Sequence, residues 1–336
     1  MAILVTGGAG YIGSHTCLEL LRAGQDVVVV DNLSNSNPES LIRVQALAGR
    51  GLDFHETDIM DAEGLDRVFS RQPVEAVIHF AGLKAVGESV GVPLRYYQNN
   101  VTGTLVLCDV MKKYGVNTLV FSSSCTVYGS PARVPITEDF PRSATNPYGR
   151  SKLIIEDILN DLFRAEPSWR MALLRYFNPV GADPSGRIGE DPNGIPNNLL
   201  PYVSQVAVGR LQQVNVFGGD WPTRDGTGVR DYIHVTDIAI GHLKALERLQ
   251  RGPGVVTCNL GTGKGNTVIE VIKAFEQASG RKVPYRIADR RAGDIAEAWA
   301  DPAYAAQELG WSATRDLLTM CTDAWRWQSM NPTGYA

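Results

Sequence analysis

The sequence lacks long apolar segments, an excess of basic residues and closely spaced cysteines. Its 336 residues include 32 basic and 36 acidic side chains, a net charge of −4, so we expect no nucleic-acid partner. The five cysteines are scattered and form no C-x-x-C pair, which is typical of reduced thiols in the cytoplasm. Because a basic leader and an apolar run long enough to cross a bilayer are both missing, we expect a cytoplasmic protein without a membrane partner.

Metal-ligand and triphosphate-loop spacings are missing as well. The five histidines, at positions 15, 55, 79, 234 and 242, show no spacing typical of a metal site, so we expect no metal. Gly261–Thr267 contains glycines and a lysine, but Lys264 is followed by Gly265, where a triphosphate-binding loop has Ser or Thr. With 44% hydrophobic and 20% charged residues, the composition is that of an ordinary globular protein with a sizeable core.

A glycine-rich turn follows the first apolar stretch. Gly7, Gly10 and Gly13 stand between a predicted strand, Ala2–Val5, and a predicted helix, where they let the backbone approach a pyrophosphate at the helix N-terminus. Asp31 ends the next apolar run, 18 residues past the third glycine. A carboxylate there can bind both hydroxyls of an adenosine ribose and would repel a 2′-phosphate. The pattern therefore predicts an NAD site in preference to an NADP site.

Apolar strands and amphipathic helical stretches alternate through the first half of the chain. This rhythm predicts an α/β fold with a doubly wound, mostly parallel sheet, whose ligands bind at the carboxyl ends of the strands. The other predicted strands of this half are Val27–Val30, Leu52–His55, Ala76–Phe80, Thr118–Phe121 and Met171–Leu174. The predicted helices are Ser14–Ala23, Ala62–Ser70, Pro93–Tyr114 and one that contains Tyr148.

Polar residues just past the strand ends are candidates for cofactor contacts. Asp58 and Ile59 follow the third predicted strand, the stretch 80–84 follows the fourth, and the serines 122–124 follow the fifth. Asn99 can reach the same crevice from its helix. We expect these groups to meet at one edge of the sheet, because parallel strands end together there.

Tyr148 and Lys152 are the candidate catalytic pair. A spacing of four residues places them one above the other on a helix, and Asn146-Pro147 just before them suits the cap and first turn of that helix. A phenol with a pKa of about 10 is a poor base at neutral pH. An ammonium nearby favours the phenolate, which could then take a proton from a substrate hydroxyl.

The regular alternation stops after Gly181. Residues 182–198 are rich in Gly, Pro, Asn and Asp, as in a loop that covers a ligand, and shorter helical and strand-like pieces follow. We expect a smaller substrate region here. Arg230 and Arg291 are candidate clamps for a phosphate, because a guanidinium group pairs with phosphate in a bidentate geometry.

Taken together, these motifs resemble the extended short-chain dehydrogenase/reductase family. The glycine pattern and Tyr-x-x-x-Lys are shared across that family, whereas Phe80–Ser89 and Gly194–Asn198 resemble those members that invert C4 of UDP-hexoses. The resemblance runs almost end to end, through Thr6–Gly13, His79–Val90, Phe121–Gly129, Asn146–Lys152, Leu174–Gly181, Gly189–Asn198, Asp225–Val235 and Arg290–Asp294.

The resemblance implies a Rossmann domain at 1–180 that binds NAD tightly, and a mixed α/β UDP-sugar domain at 181–336, with the chain crossing back to the first domain. It also implies a homodimer formed through the helices near 93–114 and 147–165. The implied catalytic residues are Tyr148, Lys152 and Ser124. The implied cofactor residues are Gly7, Gly10, Tyr11, Ile12, Gly13, Asp31, Asn32, Asn35, Ser36, Asp58, Ile59, Phe80, Ala81, Gly82, Lys84, Asn99, Ser122, Tyr148, Lys152, Tyr176 and Phe177. The implied substrate residues are Ser124, Tyr148, Asn178, Asn198, Phe217, Arg230, Tyr232, Arg291, Asp294 and Ala298.

Two positions depart from the family pattern. Cys125 stands where a small alanine-like residue is common, and we expect a buried spectator thiol there. Ala298 falls, by alignment from Asp294, at the position that limits space around the sugar 2-substituent. A bulky tyrosine restricts bacterial family members to glucose and galactose, so the small side chain predicts that N-acetylated hexosamines are also accepted.

Three other functions are alternatives for this sequence. A 4,6-dehydratase shares the Tyr-Lys pair but carries Asp-Glu after the residue matching Ser124, where this chain has Cys125-Thr126. A UDP-glucuronate epimerase or decarboxylase differs only in how the pocket treats a C6 carboxylate. A regulator that senses a dinucleotide without catalysis would be expected to lack the tyrosine or the lysine, and both are present.

Overall fold

The computed structural model of the chain describes residues 2–291 and 294–335. Its strands, in chain order, are β1 (Ala2–Thr6), β2 (Asp26–Asp31), β3 (Asp53–Glu56), β4 (Val74–His79), β5 (Thr118–Ser124), β6 (Arg170–Tyr176), β7 (Asn178–Val180), β8 (Val214–Phe217), β9 (Val229–His234), β10 (Gly254–Leu260), β11 (Gly265–Thr267), β12 (Tyr285–Ala288) and β13 (Glu297–Ala298).

Helices connect most of these strands. In chain order they are α1 (Tyr11–Arg22), α2 (Glu39–Ala48), α3 (Ala62–Arg71), α4 (Val86–Gly91), α5 (Pro93–Tyr96), α6 (Gly103–Lys113), α7 (Pro147–Ala165), α8 (Leu199–Ala207), α9 (Val235–Leu249), α10 (Val268–Ser279), α11 (Ala303–Leu309) and α12 (Leu317–Met330). A π-helical turn, Tyr97–Thr102, joins α5 to α6, and a 3₁₀ turn, Cys125–Tyr128, follows β5.

The central sheet has seven parallel strands in the order β10-β6-β5-β4-β1-β2-β3. The chain builds β1, β2 and β3 towards one edge and then returns to place β4 on the other side of β1. The order in which the strands are added therefore changes direction between β1 and β4, although the strands remain parallel. A crevice forms at the carboxyl ends of these two strands. Continuous apolar runs such as Val27–Val30 are at most 3% exposed, because helices cover both faces of the sheet. The predicted fold class is confirmed.

The structure contains elements that were not predicted, such as α2, α4, β10 and α12, and it interrupts one predicted helix. The prediction missed α2 and β10, because polar residues interrupt the apolar periodicity of both, as Thr257 and Asn259 do in β10. The single helix predicted over Pro93–Tyr114 contains the π-helical turn. One extra residue in that turn shifts the helix face, and apolar periodicity does not signal such a shift.

The second half forms smaller sheets. One contains β7, β9, β11 and β13, and another pairs β8 with β12. The helices α8, α10 and α12 enclose a separate apolar cluster with these strands, whereas α9 and β10 return to the central sheet, where α9 packs against α1. The crossing back is therefore visible, and the division into two domains near residue 180 stays a prediction.

The C-terminal segment crosses back to the first half of the chain. Asn37 donates a hydrogen bond from Nδ2 to the Tyr335 carbonyl at 3.2 Å, and the Arg43 guanidinium lies over the Tyr335 ring at 5.1 Å. The Tyr335 amide donates to Asp191 at 2.8 Å. This segment therefore joins the loop after β2 to the loop that covers the strand ends. Within residues 2–291 and 294–335, no helix is both long and apolar enough to span a bilayer.

Candidate active site

The glycine turn between β1 and α1 leaves no room for side chains. Gly7 has φ of +70°, and a Cβ there would lie 2.7 Å from the Ala81 amide nitrogen. A Cβ at Gly13 would lie 2.2 Å from the Gly7 carbonyl oxygen, and one at Gly10 would lie 3.2 Å from the same atom. The first turn of α1 can therefore pack against the loop, and its amide groups remain accessible to an anion.

Asp31 organises the loop that follows β2. Its carboxylate is 8% exposed and accepts hydrogen bonds from the amides of Ala9 at 3.0 Å and Leu33 at 2.9 Å, and from Ser36 Oγ at 2.8 Å. Asp31 thus joins the glycine turn to the loop that the sequence predicts for the adenosine ribose. Of the other predicted residues, Asn32 donates to Asp58 at 2.8 Å, and Asn35 is exposed in the same loop.

The loop after β4 is tied to β1 by a buried histidine. His79 accepts from Thr6 Oγ1 at 2.7 Å through Nδ1, and its Nε2 lies 2.9 Å from Thr104 Oγ1. Since Thr104 donates its own proton to the Asn100 carbonyl at 2.6 Å, it can accept from His79. Burial lowers the pKa of His79 to about 3, with a smaller contribution from Lys152, so the imidazole is neutral.

Asn100, which the sequence analysis missed, holds the same loop from the π-helical turn. Its side chain accepts from the Leu83 amide at 2.8 Å and donates to the Leu83 carbonyl at 3.0 Å and to Ser151 Oγ at 3.0 Å. The predicted residue, Asn99, is its half-buried neighbour and donates to Asn100 at 2.9 Å. The bonded partners lie 17 and 51 residues from Asn100, so no local sequence signal could have identified its role.

Tyr148 and Lys152 lie in the first turns of α7. Asn146 caps this helix by accepting from the Gly149 amide at 2.9 Å, and Pro147 occupies the first helical position, as predicted. Lys152 is 5% exposed and donates from Nζ to the Ser122 carbonyl at 2.8 Å. A Cβ at Gly82 would lie 3.6 Å from the same Nζ. The structure therefore brings the strand ends, the loop after β4 and the candidate pair together.

Burial dominates the ionisation of this pair. It raises the pKa of Tyr148 to about 12, against a lowering by the hydrogen bond with Ser124. Burial lowers the pKa of Lys152 to about 8, and the carboxylate of Glu156 opposes that shift. The lowering expected from Lys152 is not among the main causes of this shift, so the predicted direction of the Tyr148 pKa is wrong. A positive charge brought beside the phenol would favour its phenolate form.

Tyr176 and Phe80 pack around His242, a second residue that the sequence analysis did not select. His242 donates from Nδ1 to the Ile238 carbonyl at 2.9 Å, so its Nε2 accepts from the Tyr176 hydroxyl. The Phe80 ring lies 4.7 Å from the His242 ring. Tyr176 is also within hydrogen-bonding reach of Ser122, whose carbonyl binds Lys152. These aromatic side chains pack together into a layer beneath the strand ends.

The predicted anion clamps lie on the second half of the chain. The Arg291 guanidinium lies over the Phe217 ring at 4.5 Å and pairs with Asp294 at 3.2 Å. Residues 292 and 293 of that motif lie outside the described residues. The Asn198 side chain donates to Glu190 at 3.1 Å, and Lys84 pairs with the same carboxylate at 3.3 Å. The Asn198 loop thereby meets a predicted cofactor residue.

The remaining candidate substrate residues lie on neighbouring strands of one small sheet. Asn178 of β7 is the register partner of Tyr232 in β9, and Ala298 of β13 is the register partner of Arg230 in β9. Ala298 is 7% exposed and belongs to an apolar cluster with Phe177, with Cys125 packed against that cluster. Ala298 therefore lies between the cation at Arg230 and the residues that flank Ser124.

The rejected triphosphate-loop motif has an internal role. Thr262 and Gly263 donate backbone amides to the buried Asp231 carboxylate at 2.9 and 3.1 Å, and Ala300 donates to it at 3.1 Å. A Cβ at Gly261 would lie 2.5 Å from that carboxylate. These glycines therefore enclose a carboxylate of the protein, which holds β9 against the segment that carries Ala298.

Residues 3–261 match the NAD dependent epimerase/dehydratase family. The chain belongs to this family. It is 65% identical to UDP-glucose 4-epimerase of Bacillus subtilis over 335 residues, which cover 100% of this chain and 99% of that protein.

Two solved structures of relatives share the whole fold. UDP-glucose 4-epimerase from Bifidobacterium longum, in complex with NAD+ and UDP, has a TM-score of 0.97 and 53% identity, covering 99% of this chain and 100% of that one. The enzyme from Stenotrophomonas maltophila, with bound NAD and formylated UDP-arabinopyranose, has a TM-score of 0.97 and 49% identity, covering 99% of both chains.

A member of the NAD dependent epimerase/dehydratase family needs space for a dinucleotide, and the glycine turn of this chain fits one. A Cβ at Gly7 or Gly13 would collide with backbone atoms of the turn or of the loop after β4, so only glycine allows this tight turn at the start of α1, and Asp31 stands at the end of the neighbouring strand. Within the described ranges, no group of three or more His, Cys, Asp or Glu side chains is placed to hold a metal ion.

Replacing Gly13 by alanine should weaken NAD binding, because the new Cβ would collide with the Gly7 carbonyl oxygen at 2.2 Å. We expect at least a tenfold weaker affinity and a lower melting temperature, measured by fluorescence titration and thermal unfolding. Gly51→Ala is the matched control, since the nearest atom to its new Cβ is 3.7 Å away. Equal NAD affinity in both variants would contradict the assigned pyrophosphate site.

Proposed function

We propose that the protein interconverts UDP-glucose and UDP-galactose by inverting C4 through a 4-keto intermediate while NAD stays bound. The observation that carries this proposal is the arrangement of Tyr148, Lys152 and Ser124. All three lie where the carboxyl end of β5 meets the start of α7, next to the loop after β4. The relatives described above, at 49 to 65% identity, are named UDP-glucose 4-epimerases, which supports the proposal.

NAD+, when bound, accepts a hydride from a carbinol carbon and returns it, and its oxidised ring carries a positive charge. The residues of the chain supply the proton chemistry. Tyr148 as phenolate takes the proton from the sugar 4-hydroxyl, with Ser124 hydrogen-bonded to the same oxygen. Lys152, fixed by the Ser122 carbonyl at 2.8 Å, places a cation near the phenol and binds the nicotinamide ribose. Lys152 thereby favours the phenolate form of Tyr148, against the rise that burial causes in its pKa.

Inversion requires the 4-keto sugar to present its other face while the nucleotide stays in place. We assign the UDP anchor to Arg230 and Arg291, with Asn178, Asn198, Phe217, Tyr232 and Asp294 around them. The two arginines can pair with the diphosphate in a bidentate geometry. A tightly held diphosphate and a weakly held hexose allow rotation about the bonds between them, since binding strength is concentrated away from the reacting carbon.

Replacing Tyr148 by phenylalanine should lower kcat for UDP-galactose by about a thousandfold, because it removes the general base. Lys152→Met should lower kcat by about a hundredfold and move the acidic limb of the pH profile to higher pH, since the phenol then keeps its proton to higher pH. Both are measured as UDP-glucose formation, with Tyr304→Phe, an exposed tyrosine of α11, as control. Turnover by the Tyr148 variant within tenfold of the unchanged protein would refute its role.

We also infer that N-acetylated UDP-hexosamines are substrates. Ala298 is small, is buried at 7% exposure, and lies beside the cluster that contains Phe177 and Cys125. A methyl group at this position occupies much less volume than a tyrosine side chain would, which is the basis for expecting room for an acetamido group on C2. A hydroxyl on C2 needs less room, so hexose turnover does not depend on that space.

Ala298→Tyr should therefore lower kcat/KM for UDP-N-acetylgalactosamine by at least a hundredfold and leave that for UDP-galactose within about fivefold. Both substrates are measured with the same preparation of each protein. If the unchanged protein turns over UDP-galactose and leaves UDP-N-acetylgalactosamine untouched, the inference about Ala298 is wrong and the epimerase proposal stands.

A homodimer is proposed through the helices near 93–114 and 147–165, together with the adjacent α4. Five apolar side chains are 42 to 74% exposed there: Val86, Val90, Val92, Leu94 and Leu105. Leu94→Glu should convert a dimer into a monomer in size-exclusion chromatography with light scattering, because it places a charge in the contact. Ile42→Glu, 59% exposed on α2, is the control and should remain dimeric. A monomeric unchanged protein would contradict the proposal.

The cytoplasm is the proposed compartment. Four free thiols, at Cys17, Cys108, Cys258 and Cys321, are buried in the fold, which suits a reducing environment. Recovery of the protein from an oxidising compartment in cell fractionation would contradict this assignment.

A further inference from the structure

A buried carboxylate lies one helical turn beyond Lys152. Glu156 is fully buried on α7 and accepts from Ser123 Oγ at 2.6 Å and from Arg175 Nε at 2.9 Å through Oε1. Its other oxygen accepts from Arg175 Nη2 at 2.7 Å and from Arg142 Nη1 at 3.2 Å. Both oxygens are thus satisfied by the protein, so the carboxylate is not free to exchange a proton in the reaction, although its charge opposes the lowering of the Lys152 pKa.

Ser123 is the residue that links this carboxylate to the reaction. It stands in β5 between Ser122, whose carbonyl receives the Lys152 ammonium, and Ser124, which is close enough to Tyr148 to lower the pKa of its phenol. Side chains alternate across a strand, so Ser123 points to the opposite face from its two neighbours. The bond to Glu156 therefore fixes the end of β5 from the face on which α7 packs.

Three ties now join α7 to the end of β5. Tyr148, Lys152 and Glu156 follow one another at intervals of four residues on one face of the helix. They meet Ser124, the Ser122 carbonyl and Ser123 respectively. The first two contacts are made by Tyr148 and Lys152. The third is made by Glu156, which also binds Arg175, the register partner of Ser123 in β6. The contact between Glu156 and Ser123 can therefore hold α7 and the end of β5 in the position that the other two contacts need.

We propose that Glu156 is a positioning residue, which through Ser123 holds the end of β5 against α7 so that Ser124 faces Tyr148 at the sugar 4-oxygen. This inference rests on the proposed epimerase function. Stability alone does not account for the arrangement. A buried ion pair adds little net stability compared with apolar residues of similar size. The packing of β5 against α7 would also not require a hydrogen bond between Ser123 and this ion pair. A small shift of reacting groups, by contrast, strongly reduces a rate.

The decisive variant is Ser123→Ala, which removes this one hydrogen bond and no atom in contact with substrate. We expect kcat for UDP-galactose to fall about tenfold with KM within twofold, and the absorbance of reduced cofactor after mixing with UDP-glucose to develop correspondingly more slowly. Ser204→Ala is the matched control. Ser204 is 4% exposed in α8 and donates to the Pro201 carbonyl at 3.0 Å, and its loss should leave kcat within twofold.

A second variant separates positioning from stability. Glu156→Leu combined with Arg175→Met removes both charges together, so neither is left buried without a partner. We expect a melting temperature close to that of the unchanged protein and a kcat that falls at least as far as in Ser123→Ala.

Several results would overturn the inference. It is wrong if Ser123→Ala retains kcat within twofold, if its loss is confined to KM, or if Ser204→Ala loses as much. A folded double variant with unchanged kcat overturns it too. An inactive unchanged protein would overturn the proposed function and, with it, this inference, whereas failure of the inference alone leaves the unchanged protein active.

Discussion

The hydrogen bond from the Lys152 ammonium to the Ser122 carbonyl, 2.8 Å long, is the interaction on which the site depends. An ammonium that is 5% exposed is destabilised by burial unless acceptors and opposite charges compensate it. The carbonyl at the end of β5 and the carboxylate of Glu156 provide that compensation. The charge that the reaction needs therefore also specifies how α7 lies against the central sheet.

The parallel sheet makes this placement possible. Because β1, β4 and β5 end at one edge, the glycine turn, the loop after β4 and the serines 122–124 open into the same crevice. Backbone contacts there are too close for side chains at Gly7 and Gly13. The second half of the chain adds the arginines above that edge. We therefore assign the proposed UDP anchor and the proposed hydrogen transfer to different halves, which the chain joins by returning α9 and β10 to the central sheet.

Sequence reasoning succeeded where the chemistry is local. The glycine spacing, the carboxylate at Asp31 and the four-residue interval from Tyr148 to Lys152 are readable because periodicity converts them directly into positions in space. Asn100, Glu156, Arg175 and His242 were missed. Each acts through partners that are distant in sequence, as Arg175 and Glu156 are 19 residues apart, and only the packed fold brings such groups together. The direction of the Tyr148 pKa was missed for a related reason, since a motif does not show how deeply its side chains are buried.

The central claim is that the hydrogen on C4 leaves and returns within one active site while Tyr148 moves only the hydroxyl proton. The most direct test is to incubate the protein with UDP-galactose deuterated at C4, with no added NAD, and to follow the label in the UDP-glucose formed. The account predicts turnover without added cofactor and full retention of deuterium at C4, because the hydride does not exchange with water. Loss of the label to solvent, or turnover only when NAD is supplied in stoichiometric amounts, would contradict it.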